Sequence, residues 1–542
     1  MAAGYRNARE PPEGKKTPTV HVLPEPTNRD FPQGHAAKVA YSLTVDGRRG
    51  SGEDVGDNQY RCSWVELEGK LVEATGKTLG EVDAAHVFDL TRTNPKVTGI
   101  AGDVVEQSVI GYPANSDQEP DLVIDGVETE LKTTGLRRSK KGKGFEAKEP
   151  MSITAVSLDA IAGEDFYSSN FWHKLEHMLI VYYLYDSETT VPAAEYANFP
   201  IEGYQLHEFD DEERETLRND WTLVRDFVKR VQDEHESEEE RRALYPKLSS
   251  ALRRDLLLID TAPKYPHPPR FRLKRSTVTA IARKNFGDGY EQLPKSYTSY
   301  ESIDFELDTI AGRFLGRTLG EMAEELGVPF DPAKGNKNLA EMCLTRAFGA
   351  SGKMSGIELF AKIGLTPKSV VLTRRGARTE DMKLFTIDFE EFTPGADFED
   401  STFREYFANT QLLCMVFEEP SKDAPLTENK LLGYRRLAFD DGFIDSEVRR
   451  VWERIEHLIV DGELVDVVAY DRKTGKPKVN KTGVVSSAPN FPKSSEGDVF
   501  VRGTSSDSTR KPLCINGVRM YQQQVWVKGK YVAERIAREN RG

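Results

Sequence analysis

A chain of 542 residues, 38% of them hydrophobic, can bury more than one core and is too long for a single ordinary one. Its formal net charge of −14 excludes a protein that coats nucleic acid nonspecifically, though not one with local basic surfaces. The apolar cluster from Met178 to Tyr185 is too short to span a bilayer, the N-terminus has no signal-peptide pattern, and Cys62, Cys343, Cys414 and Cys514 lack metal-ligand spacing, so a cytoplasmic protein with reduced thiols and no membrane partner is expected.

Residues 1–55 are rich in Pro, Gly, Arg and Glu and lack periodicity, which predicts a disordered tail. Order is expected from Ser63-Trp64-Val65 onward. Gly76-Lys77-Thr78-Leu79-Gly80-Glu81 leads through a polar loop to an apolar helix from Ile100 to Ile110, with Ile100, Val104, Val105 and Val109 at helical spacing and Glu106 among them. Next comes Pro120-Asp121-Leu122-Val123-Ile124-Asp125-Gly126-Val127-Glu128-Thr129-Glu130-Leu131-Lys132. Asp125-Gly126 between apolar runs predicts a two-residue hairpin turn. Ile124 then pairs with Val127, and Asp121 lies opposite Glu130, with Cβ atoms about 5 Å apart. Alternation puts Glu130 and Lys132 on the same face.

Two opposed carboxylates repel unless a cation sits between them. With Lys132 beside them they suit a Mg2+ site that cleaves phosphodiesters, because Mg2+ is hard and takes oxygen ligands. Glu106 would be a third carboxylate near the metal. Other Glu-x-Lys triplets, such as Glu68-Gly69-Lys70 and Glu428-Asn429-Lys430, lack an aspartate brought opposite by a turn and read as solvated pairs. A basic run, Arg137-Arg138-Ser139-Lys140-Lys141-Gly142-Lys143, follows the candidate strand, where phosphate contact is expected. Further on, His173-Lys174-Leu175-Glu176-His177 supplies a second cation, Lys174. Its histidines lack the metalloprotease order, so no zinc role is assigned to them. The acid is concentrated elsewhere, in runs at Asp210 to Glu215 and Glu234 to Glu240.

Past the polar stretch Ser296-Tyr297-Thr298-Ser299 the pattern returns. Gly316-Arg317-Thr318-Leu319-Gly320-Glu321 answers Gly76 to Glu81, and Leu339 to Gly349 answers Ile100 to Gly111. Gly356 to Leu365 answers Gly126 to Leu136, and Met382-Lys383-Leu384 answers Met151-Ser152-Ile153. Val525 to Gly529 answers Phe271-Arg272-Leu273-Lys274-Arg275. The shared order predicts a duplicated α/β (α+β) domain, each copy a central mixed sheet flanked by helices, at 56–300 and 301–542.

These motifs together (Thr78 to Glu81, the helix with Glu106, Pro120-Asp121, Glu130-Leu131-Lys132-Thr133 and His173-Lys174-Leu175) resemble the MutH family of restriction-endonuclease-like nucleases with the PD-(D/E)xK motif. The tandem arrangement resembles the GATC-cutting type II restriction enzymes with two MutH-like domains. The resemblance implies a catalytic set of Asp121, Glu130 and Lys132, with Glu106 and Lys174 added, Mg2+ on Asp121, Glu130 and Glu106, and double-stranded DNA as substrate. The interval from aspartate to glutamate is two residues longer than the family's, so Glu128 competes with Glu130. With Lys362 matched to Lys132, Phe360 stands for Glu130, Ser351 falls near Asp121, Leu344 replaces Glu106 and Ala408 lies near Lys174, while Glu358 matches Glu128. The second copy is therefore expected to be catalytically dead and to bind DNA as an allosteric effector, as a monomer or a DNA-induced dimer. Val499 to Thr504 resembles a strand leading into a DNA-reading loop. Contacts with DNA are expected from Arg137, Arg138, Lys140, Lys141, Lys143, Lys274 and Arg502, and more widely from Arg137 to Lys148 and Pro263 to Lys274. A DNA methyltransferase is the expected genetic partner. The rival functions are a mismatch-repair nicking endonuclease and a noncatalytic DNA-binding regulator.

Overall fold

The computed structural model describes residues 59–539, apart from short stretches at 96, 113–118, 140–143, 188–190, 265–266, 288, 333–335, 378–379, 423, 472, 480–482, 506 and 508. The tail expected at 1–55 lies outside the described residues. In the first half the strands are β1 (Tyr60–Cys62), β2 (Leu122–Ile124), β3 (Val127–Arg138), β4 (Phe145–Ala147), β5 (Met151–Ala155), β6 (Met178–Leu184), β7 (Ile201–His207), β8 (Ile259–Lys264) and β9 (His267–Leu273). Strands β1-β2-β3-β6-β7 form a mixed sheet with β4 added to β3, and β5-β9-β8 form a smaller antiparallel one.

Strand β6 shows why the sequence runs apolar here. All seven of its residues are buried. Leu179, Val181 and Tyr183 face one core, which holds Leu67, Leu71, Ile100 and Val104. Met178, Ile180 and Tyr182 face another, with Trp221, Val228 and Phe271. A strand covered on both faces cannot alternate. β3 alternates because it is only partly covered. Leu131 enters the first core, while Glu130 and Lys132 turn to the opposite side, toward a cleft.

The second half repeats the construction with β10 (Leu365–Leu372), β11 (Met382–Thr386), β12 (Gln411–Glu418), β13 (Lys430–Leu437), β14 (Asp466–Val468), β15 (Ser487–Pro489), β16 (Val499–Thr504), β17 (Leu513–Ile515), β18 (Val518–Met520) and β19 (Gln522–Val527). β10-β12-β13 has the parallel-then-antiparallel pairing of β3-β6-β7, and β11-β19-β16 that of β5-β9-β8. Thr78 with Glu81 and Thr318 with Glu321 form identical capping boxes, each satisfying two helix N-terminal donors. Leu79 N donates to Phe199 O at 2.9 Å, and Leu319 N to Asn429 O at 2.9 Å. The bulge between Tyr182 and Tyr183 returns between Val416 and Phe417.

That shared bulge sets the residue correspondence. Ile180 pairs with Lys132, and its equivalent Cys414 pairs with Lys368; Met178 pairs with Glu130, and Leu412 with Thr366. Lys132 therefore matches Lys368, not Lys362, and Glu130 matches Thr366, not Phe360. The sequence match failed because the hairpin is replaced. Residues Glu358–Ile363 form a helix, ended by Gly364 at φ 68°, a left-handed position that suits glycine. Ser351, matched to Asp121, lies in a loop and bonds Glu291 instead. Counted from the caps Ser169 and Ser401, Tyr406 rather than Ala408 stands at the place of Lys174. Leu344 does take the place of Glu106, counted from Gly111 and Gly349, and is fully buried.

One core runs from Leu136 to Tyr434 and contains Tyr300, so the sequence boundary near 300 does not separate two independent cores. The halves are also joined by polar contacts. Arg436 makes a two-pronged pair with Asp304 at 2.6 and 2.7 Å and donates to Arg254 O. Lys362 reaches Glu213 at 2.6 Å and also bonds Glu358, which Gln292 and Lys284 hold as well.

Candidate active site

The hairpin forms as its sequence requires. Asp125 (φ 49°) and Gly126 (φ 89°) are both left-handed, the geometry of a type I′ turn. Pairs Ile124–Val127, Val123–Glu128 and Leu122–Thr129 carry Asp121 to the place opposite Glu130. Leu131 N donates to Asp121 Oδ2 at 3.1 Å, which fixes the aspartate against its partner strand.

Glu130 is the buried centre of the site, 2% exposed. Lys132 Nζ donates to its Oε1 at 2.5 Å, and Lys174 Nζ to its Oε2 at 2.8 Å. Lys174 arrives from the helix Asn170–Glu176, whose N-terminus is capped by the buried Ser169 hydroxyl. Its ammonium also donates to Glu119 O at 3.4 Å. Glu128 is exposed, two residues toward the turn, so Glu130 is the glutamate that the lysines engage. His173 is exposed and His177 bonds Glu208, so neither histidine joins the cluster.

Glu106 enters from a π-helical turn, Val105–Ile110, that continues the helix Ile100–Val104. Such turns carry one extra residue and re-aim side chains, often at functional sites. Gly111 N and Tyr112 N both donate to Glu106 O, at 2.9 and 3.1 Å. Burial, then the charges of Asp121 and Asp103, push the Glu106 carboxyl up to about 7, against the opposing pull of Lys132. Burial and Glu130 likewise raise Asp121, opposed by Lys132, Lys174 and the Leu131 amide. Three carboxylates thus crowd together with two cations, and desolvation works against ionising all of them.

Among the described residues, no three Asp, Glu, His or Cys side chains already form a metal cage, and both Glu130 oxygens are held by lysines. The donor chemistry still fits a hard cation. Asp121, Glu130 and Glu106 supply oxygens, and the mutual repulsion that raises Glu106 and Asp121 is what a divalent ion would relieve. Sequence reasoning missed Tyr112, whose buried hydroxyl has no hydrogen-bond partner among the described residues and lies in the field of Asp121, Glu106 and Glu130. Its only sequence signal is its place just after the helix-ending Gly111.

One pH effect follows from Glu106. Its folded value of about 7 lies above the ordinary 4.5, so below 4.5 the group is neutral in both folded and unfolded chains and contributes nothing. As the pH rises through 7 the folded protein bears the full cost of ionising it. Glu106→Gln is expected to melt at a higher temperature than the parent at pH 8 and at the same temperature at pH 4, in metal-free buffer. An equal difference at both pH values would contradict this.

A cleft of about 1160 Å³ opens from Glu130, Lys132 and Lys174 and runs past Asn170 toward Arg242 and Arg270. The expected DNA contacts are scattered relative to it. Arg137 and Arg138 lie seven and eight residues along β3 from Glu130, roughly 23–26 Å at strand spacing, stacked over Tyr185 and Phe145. Lys140, Lys141 and Lys143 lie outside the described residues. Lys148 is held by Tyr196 Oη at 2.9 Å. Lys274 is not a surface group: it is buried, donates to Leu256 O at 2.5 Å, and cannot reach a phosphate from there. It follows a strand and opens a helix, which reads as exposed in sequence, but its ammonium is drawn inward to Leu256 O and over the Tyr300 ring. Arg502 is exposed, stacked on Phe500 and Trp526 and paired with Asp381.

Residues 110–220 match the family model "DNA mismatch repair enzyme MutH". That span contains the hairpin, Glu130, Lys132 and the Lys174 helix, and begins four residues after Glu106. The chain is also similar to the type II restriction enzyme Sau3AI of Staphylococcus aureus, 21% identical over 499 residues, which cover 87% of this chain and 97% of that protein. Both matches support a MutH-like restriction endonuclease family for this chain. The likeness to Sau3AI extends through both halves, so the second half is part of what the two proteins share. Among the described residues no helix is long and apolar enough to cross a membrane.

Proposed function

We propose that this chain is a type II restriction endonuclease that cleaves double-stranded DNA in a Mg2+-dependent reaction at a single active site in its first half. The observation that carries the reading is Glu130, buried and gripped by Lys132 and Lys174, with Asp121 anchored opposite it. Asp121, Glu130 and Glu106 would hold the metal. Bound there, Mg2+ supplies charge stabilisation on the scissile phosphate and a more acidic water. The chain's own part is then to orient and to balance charge. With Glu130 holding the metal, Lys132, which lines the cleft, would orient the attacking water. Lys174, tied to Glu119 O, stays behind to offset developing negative charge.

The second half serves as a DNA-binding effector without catalysis. Thr366 stands where Glu130 stands, and a helix replaces the hairpin that would bring a second carboxylate, so no Mg2+ site is expected there. The division at 56–300 and 301–542 is kept as a functional one. GATC is the recognition sequence that the tandem MutH-like resemblance suggests, and a cognate methyltransferase is the expected genetic partner.

Incubating unmethylated plasmid with the full chain tests this. Linear product with Mg2+ and none with a chelator is expected. Nicked circles alone would favour the mismatch-repair reading that the family model's description suggests. Intact DNA under all conditions, with binding retained, would favour a noncatalytic regulator. For the effector role, Arg502→Ala is expected to lower the slope of log affinity against log salt by about 1 for a second duplex, the signature of one lost phosphate contact. An unchanged slope would remove Arg502 from the DNA interface.

A further inference from the structure

The second half carries a two-stranded ribbon that the first half lacks. β14 and β15 pair Asp466–Pro489, Val467–Ala488 and Val468–Ser487, and beyond this ribbon a third segment bridges both strands, at Tyr470–Pro477 and Val479–Val485. In the first half, the helices Glu238–Leu244 and Leu248–Leu252 occupy the corresponding interval before β8.

Three features of the ribbon point outward. Of the large hydrophobic side chains exposed among the described residues, five lie in this one stretch: Val465 (52%), Val467 (40%), Tyr470 (58%), Val479 (57%) and Val485 (45%). Concentrated apolar exposure of this kind marks an interaction surface. Its charge is the reverse of the chain's. Between 465 and 490 there are five basic residues, Arg472, Lys473, Lys476, Lys478 and Lys481, against Asp466 and Asp471, in a chain of net charge −14. The acids are also already engaged. Asp471 Oδ1 accepts from Lys473 N, Thr474 N and the Thr474 hydroxyl, and Asp466 Oδ2 accepts from Lys511 Nζ at 2.9 Å and from Ser487 Oγ at 2.7 Å. Lys473, Lys476 and Lys478 are exposed.

We propose that this ribbon is a DNA-reading arm that lies in a groove of the effector duplex. A two-stranded β-ribbon fits the major groove of B-DNA, where lysines reach phosphates and base edges and apolar groups meet thymine methyls. Charge selects the partner: a local excess of cations whose neighbouring acids are already bonded suits a polyanion such as duplex DNA. Continuity supports it as well. At the arm's base a cavity of about 340 Å³ is lined by Lys493, Arg502 and Lys511 together with Phe491 and Tyr521, so the arm extends the surface on which Arg502 lies. Lys511 bonds both Asp466 and Ser487, tying the arm's base to the segment that leads into β17.

The inference rests on the reading of the second half as a DNA-binding effector, and its test separates the two. The probe is a second fluorescent duplex of about 20 base pairs, titrated onto the full chain whose active site is already filled with unlabelled duplex in Ca2+. The variant is Lys473→Glu, Lys476→Glu and Lys478→Glu together, at a solvent-exposed tip where the fold is not at stake; an unchanged circular dichroism spectrum checks this. The parent is expected to bind the second duplex, and the variant to bind it at least about tenfold more weakly, with a salt slope lower by up to about 3. Second-duplex binding by the parent with no change in the variant would overturn the arm while leaving the effector reading intact. No second-duplex binding by the parent at low salt would overturn both. Lost binding of a protein partner from the variant, with DNA binding unaffected, would likewise overturn the DNA assignment.

Discussion

Plasmid cleavage by Asp121→Asn is expected to fall by about 10³-fold or more, with affinity for DNA nearly unchanged. The substitution keeps the side chain's shape and its bond from Leu131 N but removes the charge that faces Glu130 and Glu106. A metal ligand that stabilises transition-state charge is worth several kcal/mol, and each 1.4 kcal/mol is tenfold in rate. Glu130→Gln should behave alike, and it would leave Lys132 and Lys174 without their shared carboxylate. Glu128→Gln should cut normally, because Glu128 is exposed and outside the lysine grip. Single-turnover cleavage rates and duplex affinities measured in Ca2+ separate chemistry from binding. A fully active Asp121→Asn enzyme would remove this hairpin from the chemistry, and an inactive Glu128→Gln beside an active Glu130→Gln would move the site by two residues.

Lys362→Met is expected to destabilise the protein by about 3 kcal/mol or more, without touching the active site. Lys362 is 7% exposed and bonds Glu213 of the first half and Glu358 of its own helix. Removing the cation takes the shared counter-charge from two buried carboxylates, and breaking one side of a buried pair typically costs about 3–5 kcal/mol. Glu358 reports the effect through pH. Burial alone would raise its carboxyl, but the bond and charge of Lys362, with Gln292 and Lys284, bring it down to about 2. A carboxyl with a depressed folded value stabilises fully above its unfolded value near 4.5, and that contribution is lost as the pH falls through 2. The difference between parent and Lys362→Met in urea midpoint should therefore be largest near neutral pH and shrink below about 4.5. A difference that grew toward acid would show that the pair does not hold the halves together.

Lys132 of the active site and Lys362 looked equivalent in sequence. Each lies six residues after a glycine that is followed by an apolar residue and a glutamate, and matching them made the second copy seem a damaged active site. In the structure Lys362 lies on a helix and has become part of the joint between halves, and the real counterpart of Lys132 is Lys368, whose ammonium bonds Lys383 O. Local periodicity cannot separate a short apolar run in a strand from one in a helix. What decided it was the absence, in the second copy, of an Asp-Gly turn to start a hairpin.

The amino-acid sequence by itself determined the local geometry of the candidate site. Asp125-Gly126 demanded a type I′ turn, the turn set the register, and the register put Asp121 across from Glu130 with Lys132 on the same face, because these are constraints between residues close in the chain. It also displayed the duplication through Thr78 and Thr318, whose capping boxes need only three residues of spacing. Only the tertiary structure decided which distant groups complete or leave the site. Lys174 comes from 44 residues away to grip Glu130. Glu106 is aimed by an extra residue in its helix, Tyr112 keeps a buried hydroxyl without a partner among the described residues, and Lys274 is drawn inward to Leu256 O. Such choices depend on which buried charge can find a partner across the packed interior, and that is settled when the sheets and helices close on one another, not along the chain.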